Sequence, residues 1–141
     1  MPYDLERFVV EQRPVMDGVR RELQRGRKTG HWMWYVFPQI AGLGSSAMSR
    51  AFAIGSLDEA RAYLDHPVLG ARIRECGSIL MTISGRSALD VFGPIDAIKL
   101  RSSMTLFHRA APDDRVFTAV LDRYFDGIPD SATDAILGRL P

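Results

Sequence analysis

Ser56-Leu57-Asp58-Glu59-Ala60-Arg61-Ala62-Tyr63-Leu64-Asp65-His66-Pro67-Val68-Leu69-Gly70-Ala71-Arg72-Ile73-Arg74-Glu75-Cys76-Gly77-Ser78-Ile79-Leu80-Met81-Thr82-Ile83 reads as two helices with a break between them. Serine followed three residues later by glutamate is a capping box, whose side chains take up backbone N–H groups that the first helical turn leaves free. The helix it opens carries Leu57, Ala60 and Leu64. His66-Pro67 ends it, because proline restrains the residue before it and suits the first turn of a following helix. There the His66 ring can serve as a hydrogen-bond partner for the new helix's first amides. Leu69, Ile73, Cys76, Leu80 and Ile83 then recur at steps of four and three, which is one narrow stripe facing a core.

The same pattern extends outward in both directions. Towards the N-terminus, Asp4 is expected to cap a helix through Leu5, Phe8, Val9 and Gln12. Pro14 kinks or breaks it, Val15, Val19 and Leu23 share the next face, and Gly26 ends that segment behind Arg20, Arg21 and Arg25, whose charges suit a helix C-terminus. Towards the C-terminus, Ser87 to Phe92 gives one or two turns before Gly93-Pro94, and an amphipathic helix follows from Ile95 to Arg109. Asp113 or Asp114 starts a helix closed by Gly127, and Asp130 or Ser131 caps a last one. The predicted fold is all-α, a compact single helical domain over residues 1–141 with about six to seven helices. At most one short strand is expected, over Met33 to Phe37, where the run is apolar, aromatic and β-branched and stops at Pro38.

Composition narrows the class. With 141 residues and 46% hydrophobic content the chain can bury a core without metal or disulfide staples. The 18 basic and 17 acidic residues nearly cancel, which argues against nucleic acid or an anionic membrane as the main partner. Cys76 is the sole cysteine, so no internal disulfide forms; placed among Ile73, Ile79 and Leu80, it reads as a buried, inert thiol in a reducing cytoplasm. No apolar run approaches the ~20 residues of a membrane span. Met1-Pro2-Tyr3-Asp4 does not read as a signal peptide, so a cytoplasmic location is expected. His31, His66 and His108 lack local metal-ligand spacing, so neither a metal site nor a cofactor is expected.

The stretch Gly30-His31-Trp32-Met33-Trp34-Tyr35-Val36-Phe37-Pro38-Gln39 holds both tryptophans beside a histidine, as a core anchor or a pocket wall. Gly42-Leu43-Gly44-Ser45-Ser46-Ala47 has the G-x-G-x-x-A form of a dinucleotide fingerprint, but the acids at Asp58 and Glu59 follow a helix-start serine and not a second strand. A nucleophile elbow of the form G-x-S-x-G is missing. Further on, Asp96, Lys99, Ser102 and Ser103 lie opposite Ala97, Leu100, Met104 and Phe107 on one helix. The candidate ligand site therefore combines His31, Trp32, Trp34, Gln39, Lys99, Ser102 and Ser103, with rings to stack on a flat group and polar groups for a phosphate or sugar. Its ligand would be small and anionic or nucleotide-like, and no catalytic group is assigned. The alternative is a non-catalytic interaction module, or a homodimer, whose aromatic stretch is a contact surface.

Taken together, Gly26-Arg27-Lys28, His31-Trp32-Met33-Trp34, Phe37-Pro38-Gln39, Ala60-Arg61-Ala62-Tyr63-Leu64, His66-Pro67-Val68-Leu69-Gly70 and Lys99-Leu100-Arg101-Ser102-Ser103-Met104-Thr105-Leu106-Phe107 resemble the family catalogued as domain of unknown function 1810, along nearly the whole chain. The resemblance implies a compact all-helical domain and carries no established activity. Two positions depart from it: Pro14 interrupts a helix that such proteins keep smooth, and Asp96-Ala97 stands where an acidic pair is common. Some members carry the label calpastatin, but true calpastatins are disordered and this chain reads as folded. The helical order and the histidine-tryptophan motif are also distantly similar to the NADAR proteins, which act on ADP-ribose-type and N-glycosidic compounds. That likeness implies binding or hydrolysis of such a ligand.

Overall fold

The structure, a computed structural model, describes residues 3–140; the outermost positions of the expected domain, residues 1, 2 and 141, lie outside it. Its described residues form nine helices: α1 (Glu6–Gln12), α2 (Met16–Arg25), α3 (Met33–Val36), α4 (Ala47–Ala51), α5 (Leu57–Asp65), α6 (Leu69–Thr82), α7 (Ala88–Ala110), α8 (Arg115–Phe125) and α9 (Ser131–Arg139). The all-α class is as expected, while the count exceeds six to seven. The surplus is in short pieces, since α1 and α2 separate at Pro14 and α3 and α4 are little more than one turn each.

α3 corrects the strand expected over Met33 to Phe37. Met33, Tyr35, Val36 and Phe37 are all buried, so the run is apolar because it threads the core and not because it pairs with a neighbouring strand. The one β-type pairing among the described residues is an isolated parallel bridge between Ile40 and Ile54, in which the Ile54 amide donates to the Gln39 carbonyl at 2.9 Å and the Ala41 amide to the Ile54 carbonyl at 2.8 Å. The glycine-serine turn between them leads into α4 without a preceding strand, so the fingerprint spacing there has no Rossmann context.

Caps account for most boundaries. Ser56 accepts from the Glu59 amide, Asp114 from Val116 and Asp130 from Thr133, as the sequence indicates. Glu59 differs in detail: its carboxylate takes the Gly55 amide at 2.8 Å, one residue before the cap. The full reciprocal box is instead Ser87 with Asp90, opening α7. His66 Nδ1 accepts from the Val68 and Leu69 amides at 3.1 and 3.3 Å, so this ring caps α6. Asp4 does not cap α1, which starts after Leu5 without a side-chain acceptor.

α7 is the central helix, packing on α5, α8 and α9, while α6 packs on α2, α5 and α8. A run of rings ties these layers: Phe8 meets Tyr63 edge-on at 5.2 Å, Tyr63 meets Phe107 at 5.2 Å, and Phe107 meets Phe117 at 5.7 Å. Full burial of each such side chain is worth about 1.5–3 kcal/mol. Gln12, buried beside them, donates to the Tyr35 carbonyl at 2.6 Å and to the Tyr63 hydroxyl at 2.9 Å, so these two polar groups are paired within the core.

A candidate ligand cleft between the Gly26 to Trp32 loop and α7

The cleft begins with a loop held from two sides. α2 stops at Gly26, whose left-handed backbone (φ 74°) glycine adopts without a Cβ penalty. Arg86 donates its Nε–H to the Gly26 carbonyl at 2.7 Å, and the Lys28 amide donates to the Val91 carbonyl at 2.8 Å, so the loop docks on the start of α7. From the other side, one oxygen of Glu22 accepts from the Thr29 amide at 2.6 Å, the Gly30 amide at 2.7 Å and the Trp32 indole at 3.1 Å. Desolvation pushes the Glu22 carboxyl up, but the hydrogen bonds from Gly30, Thr29 and Trp32 together outweigh it and hold this carboxylate below its ordinary range.

The opposite wall is a break in α7. Gly93 leaves helical geometry (φ 78°, ψ 171°), a region open to glycine, and Pro94 then fits the first turn of the resumed helix. This turn presents Asp96 and Lys99 to the loop. Lys28 Nζ lies 2.7 Å from Asp96 Oδ2, and Lys99 Nζ lies 3.8 Å from Asp96 Oδ1. Each ammonium also sits over an indole ring, Lys28 over Trp32 and Lys99 over Trp34, both at 5.0 Å. Two lysines thus share one carboxylate, which leaves a single positive charge.

Around this group opens a cleft of about 370 Å³, walled by Lys28, His31, Trp34, Asp96 and Lys99 on its polar side and by Met33, Phe92, Pro94 and Ile95 on its apolar side. That volume and mixed lining suit a small molecule. Two smaller recesses adjoin it. One of about 200 Å³ shares Trp34 and adds Gln39; the other, of about 270 Å³, shares Lys99 with the cleft and Gln39 with the first recess, and adds Ile98 and Ser102.

Of the seven residues expected from sequence, His31, Trp34 and Lys99 meet in the main cleft, and Gln39 and Ser102 reach its side recesses. Trp32 and Ser103 do not reach these spaces. Trp32 is buried, with its indole N–H on Glu22, and borders a separate polar hollow beside α2. Ser103 is fully buried, and its hydroxyl has no partner among the described residues. Ser102 is also buried; it donates to Asp130 Oδ2 at 2.9 Å, the same oxygen that caps α9, so it ties α7 to α9. The polar face expected on this helix therefore turns inward at its second turn, because α5, α8 and α9 enclose α7.

Lys28 and Asp96 are cleft residues that the sequence did not mark as such. In the sequence Lys28 is one of three cations in Arg25-Gly26-Arg27-Lys28, and only the fold brings it to Asp96. Charge next to aromatic residues was the single signal pointing to it. None of the described residues form a group of three or more His, Cys, Asp or Glu able to hold a metal, and none of their helices is long and apolar enough to cross a membrane.

A solved structure gives a close parallel. The crystal structure of the conserved hypothetical protein Rv1873 from Mycobacterium tuberculosis is 49% identical, with the alignment covering 99% of this chain and 100% of that one at a TM-score of 0.97. No functionally curated protein matches. A family model spans residues 2–137, and the chain belongs to that family, described as Protein of unknown function (DUF1810).

Proposed function

We propose that the cleft between the Gly26 to Trp32 loop and the break of α7 binds a small anionic, nucleotide-like ligand. The observation that carries this is Lys99. Its ammonium hydrogen-bonds no acceptor among the described residues, its nearest carboxylate oxygen is 3.8 Å away, and it is held over Trp34 where the main cleft meets the recess lined by Ser102. An ammonium held in place with free donors, beside apolar walls, is how a protein presents charge to an anion joined to a ring. Lys99 covers one face of Trp34, so the ligand's flat group would use the indole's remaining surface together with Pro94 and Ile95. Hydrolysis of an N-glycosidic ligand would draw on Asp96, the one carboxylate lining the main cleft.

Thermal-shift titration with ADP-ribose, NAD, nucleotides and phosphosugars tests the reading. A ligand at 100 times its dissociation constant adds about 2.7 kcal/mol of stability. Lys99→Ala should abolish that shift while lowering the stability of the free protein by no more than about 1 kcal/mol, the size of a partly exposed cation–π contact. A flat response across the panel, or equal binding by the variant, overturns the proposal.

The second reading is a contact with another chain, a second copy included. Ile95 and Ile98, 69% and 65% exposed, stand one turn apart at the cleft's edge and favour it. Sedimentation over a concentration series separates the two, since a monomer throughout leaves the self-association form without support.

A further inference from the structure

We infer that the cleft selects ligands bearing one negative charge, on a phosphodiester or a carboxylate joined to a ring, over the corresponding dianions; this rests on the ligand reading above. The inference follows from how its charges are used. Lys28 is only 7% exposed, and its ammonium is committed to Asp96 at 2.7 Å and to the Gly30 carbonyl. Lys99 is more open, 20% exposed, and stands farther from Asp96. No other lysine or arginine lines the main cleft, and Asp96 is its one carboxylate. An incoming anion therefore meets a single available cation with a fixed negative charge beside it.

A single charge on the ligand neutralises Lys99 and leaves the group balanced. A second charge would have no cation to meet and would face the Asp96 carboxylate between apolar walls, where an unpaired charge is costly. Asp96 thus acts against dianions as much as it orders the lysines, a repulsive element that sets specificity. A phosphate monoester carries nearly two charges above its second pKa of about 6, whereas a phosphodiester or carboxylate carries one.

A matched adenosine series tests this on the intact protein by calorimetry at pH 8: adenosine, adenosine 5′-carboxylate, adenosine 3′,5′-cyclic phosphate and adenosine 5′-monophosphate. Both monoanions should bind about tenfold tighter than the dianionic monophosphate, and adenosine should bind weakest. The better of the two monoanions identifies the carboxylate or the phosphodiester as the preferred source. Asp96→Asn keeps the side chain's shape, removes the repulsion, and should reverse the order of monophosphate and cyclic phosphate. Wild-type protein at pH 5 gives a check without any variant: the monophosphate becomes a monoanion there and should draw level with the cyclic phosphate, and His31, which also lines the cleft, faces both monoanions alike. Absence of binding by the whole series overturns the ligand reading itself. Binding in which the dianion equals or exceeds the monoanions at pH 8, or an order unchanged in Asp96→Asn or at pH 5, overturns the charge selection alone.

Discussion

Ser103 shows what a single side chain can conceal. Its hydroxyl is buried with no partner among the described residues, next to Ser102, whose hydroxyl donates to Asp130 and so helps fix the start of α9. A buried polar atom left unpaired costs about 1–3 kcal/mol relative to a paired one, so its removal should not hurt. Ser103→Ala is expected to leave stability unchanged or raise it by up to about 1 kcal/mol, whereas Ser102→Ala should lower it by about 1 kcal/mol. Urea melts of the two variants read this directly, and a marked loss in Ser103→Ala would mean that its hydroxyl has a bonding partner after all. From the sequence the two serines looked alike, because helical spacing places them on one face but does not say whether another helix covers it. Lys99 was legible by contrast: a long cation ends at solvent or at a partner, and this one ends at the cleft.

At the scale of elements, local chemistry was the legible part. The caps at Ser56, Asp114 and Asp130, the stop at Gly26 and the His66 ring all act within a few residues, so they could be read without the fold. The Met33 to Phe37 run could not, since a short apolar segment looks the same as a buried strand or as a buried turn of helix. The loop from Gly26 to Trp32 depends on Glu22, one turn before the end of α2, whose carboxylate accepts three N–H groups from it. The pKa of this carboxyl is lower in the folded protein than in the unfolded chain. Its contribution to stability is therefore fully present above the unfolded value and is lost as pH falls through the folded one. Glu22→Gln should cost about 1–2 kcal/mol at neutral pH, allowing for partial exposure, and should flatten the stability profile below about pH 4.5. Equilibrium unfolding of both proteins between pH 3 and about pH 7 measures that slope. Parallel profiles would show that the three hydrogen bonds hold the loop no better with a carboxylate than with an amide.

Across the whole molecule, the pairing of Lys28 with Asp96 belongs to tertiary structure alone: it needs the loop docked on Val91 and Arg86 and the break of α7 at Gly93, and no local pattern encodes either contact. Cys76, in contrast, is where a sequence expectation meets the global fold. It lies on α6 within the layer formed with α2, α5 and α8, is fully buried, and burial pushes its thiol up to about 12. The reactive species is the thiolate, so both access and ionisation are withheld in the native state. Labelling by an aromatic disulfide reagent should then proceed only through opening of that helical layer, and its rate in rising urea should follow the unfolding free energy with the full equilibrium dependence. Glu75 and Arg20, paired at 2.9 Å at the rim of this layer, supply a control, because Arg20→Ala removes only an exposed contact and should leave the labelling rate within about twofold. Fast labelling without urea, or a rate insensitive to it, would place a local opening at α6 and separate this helix from the cooperative core.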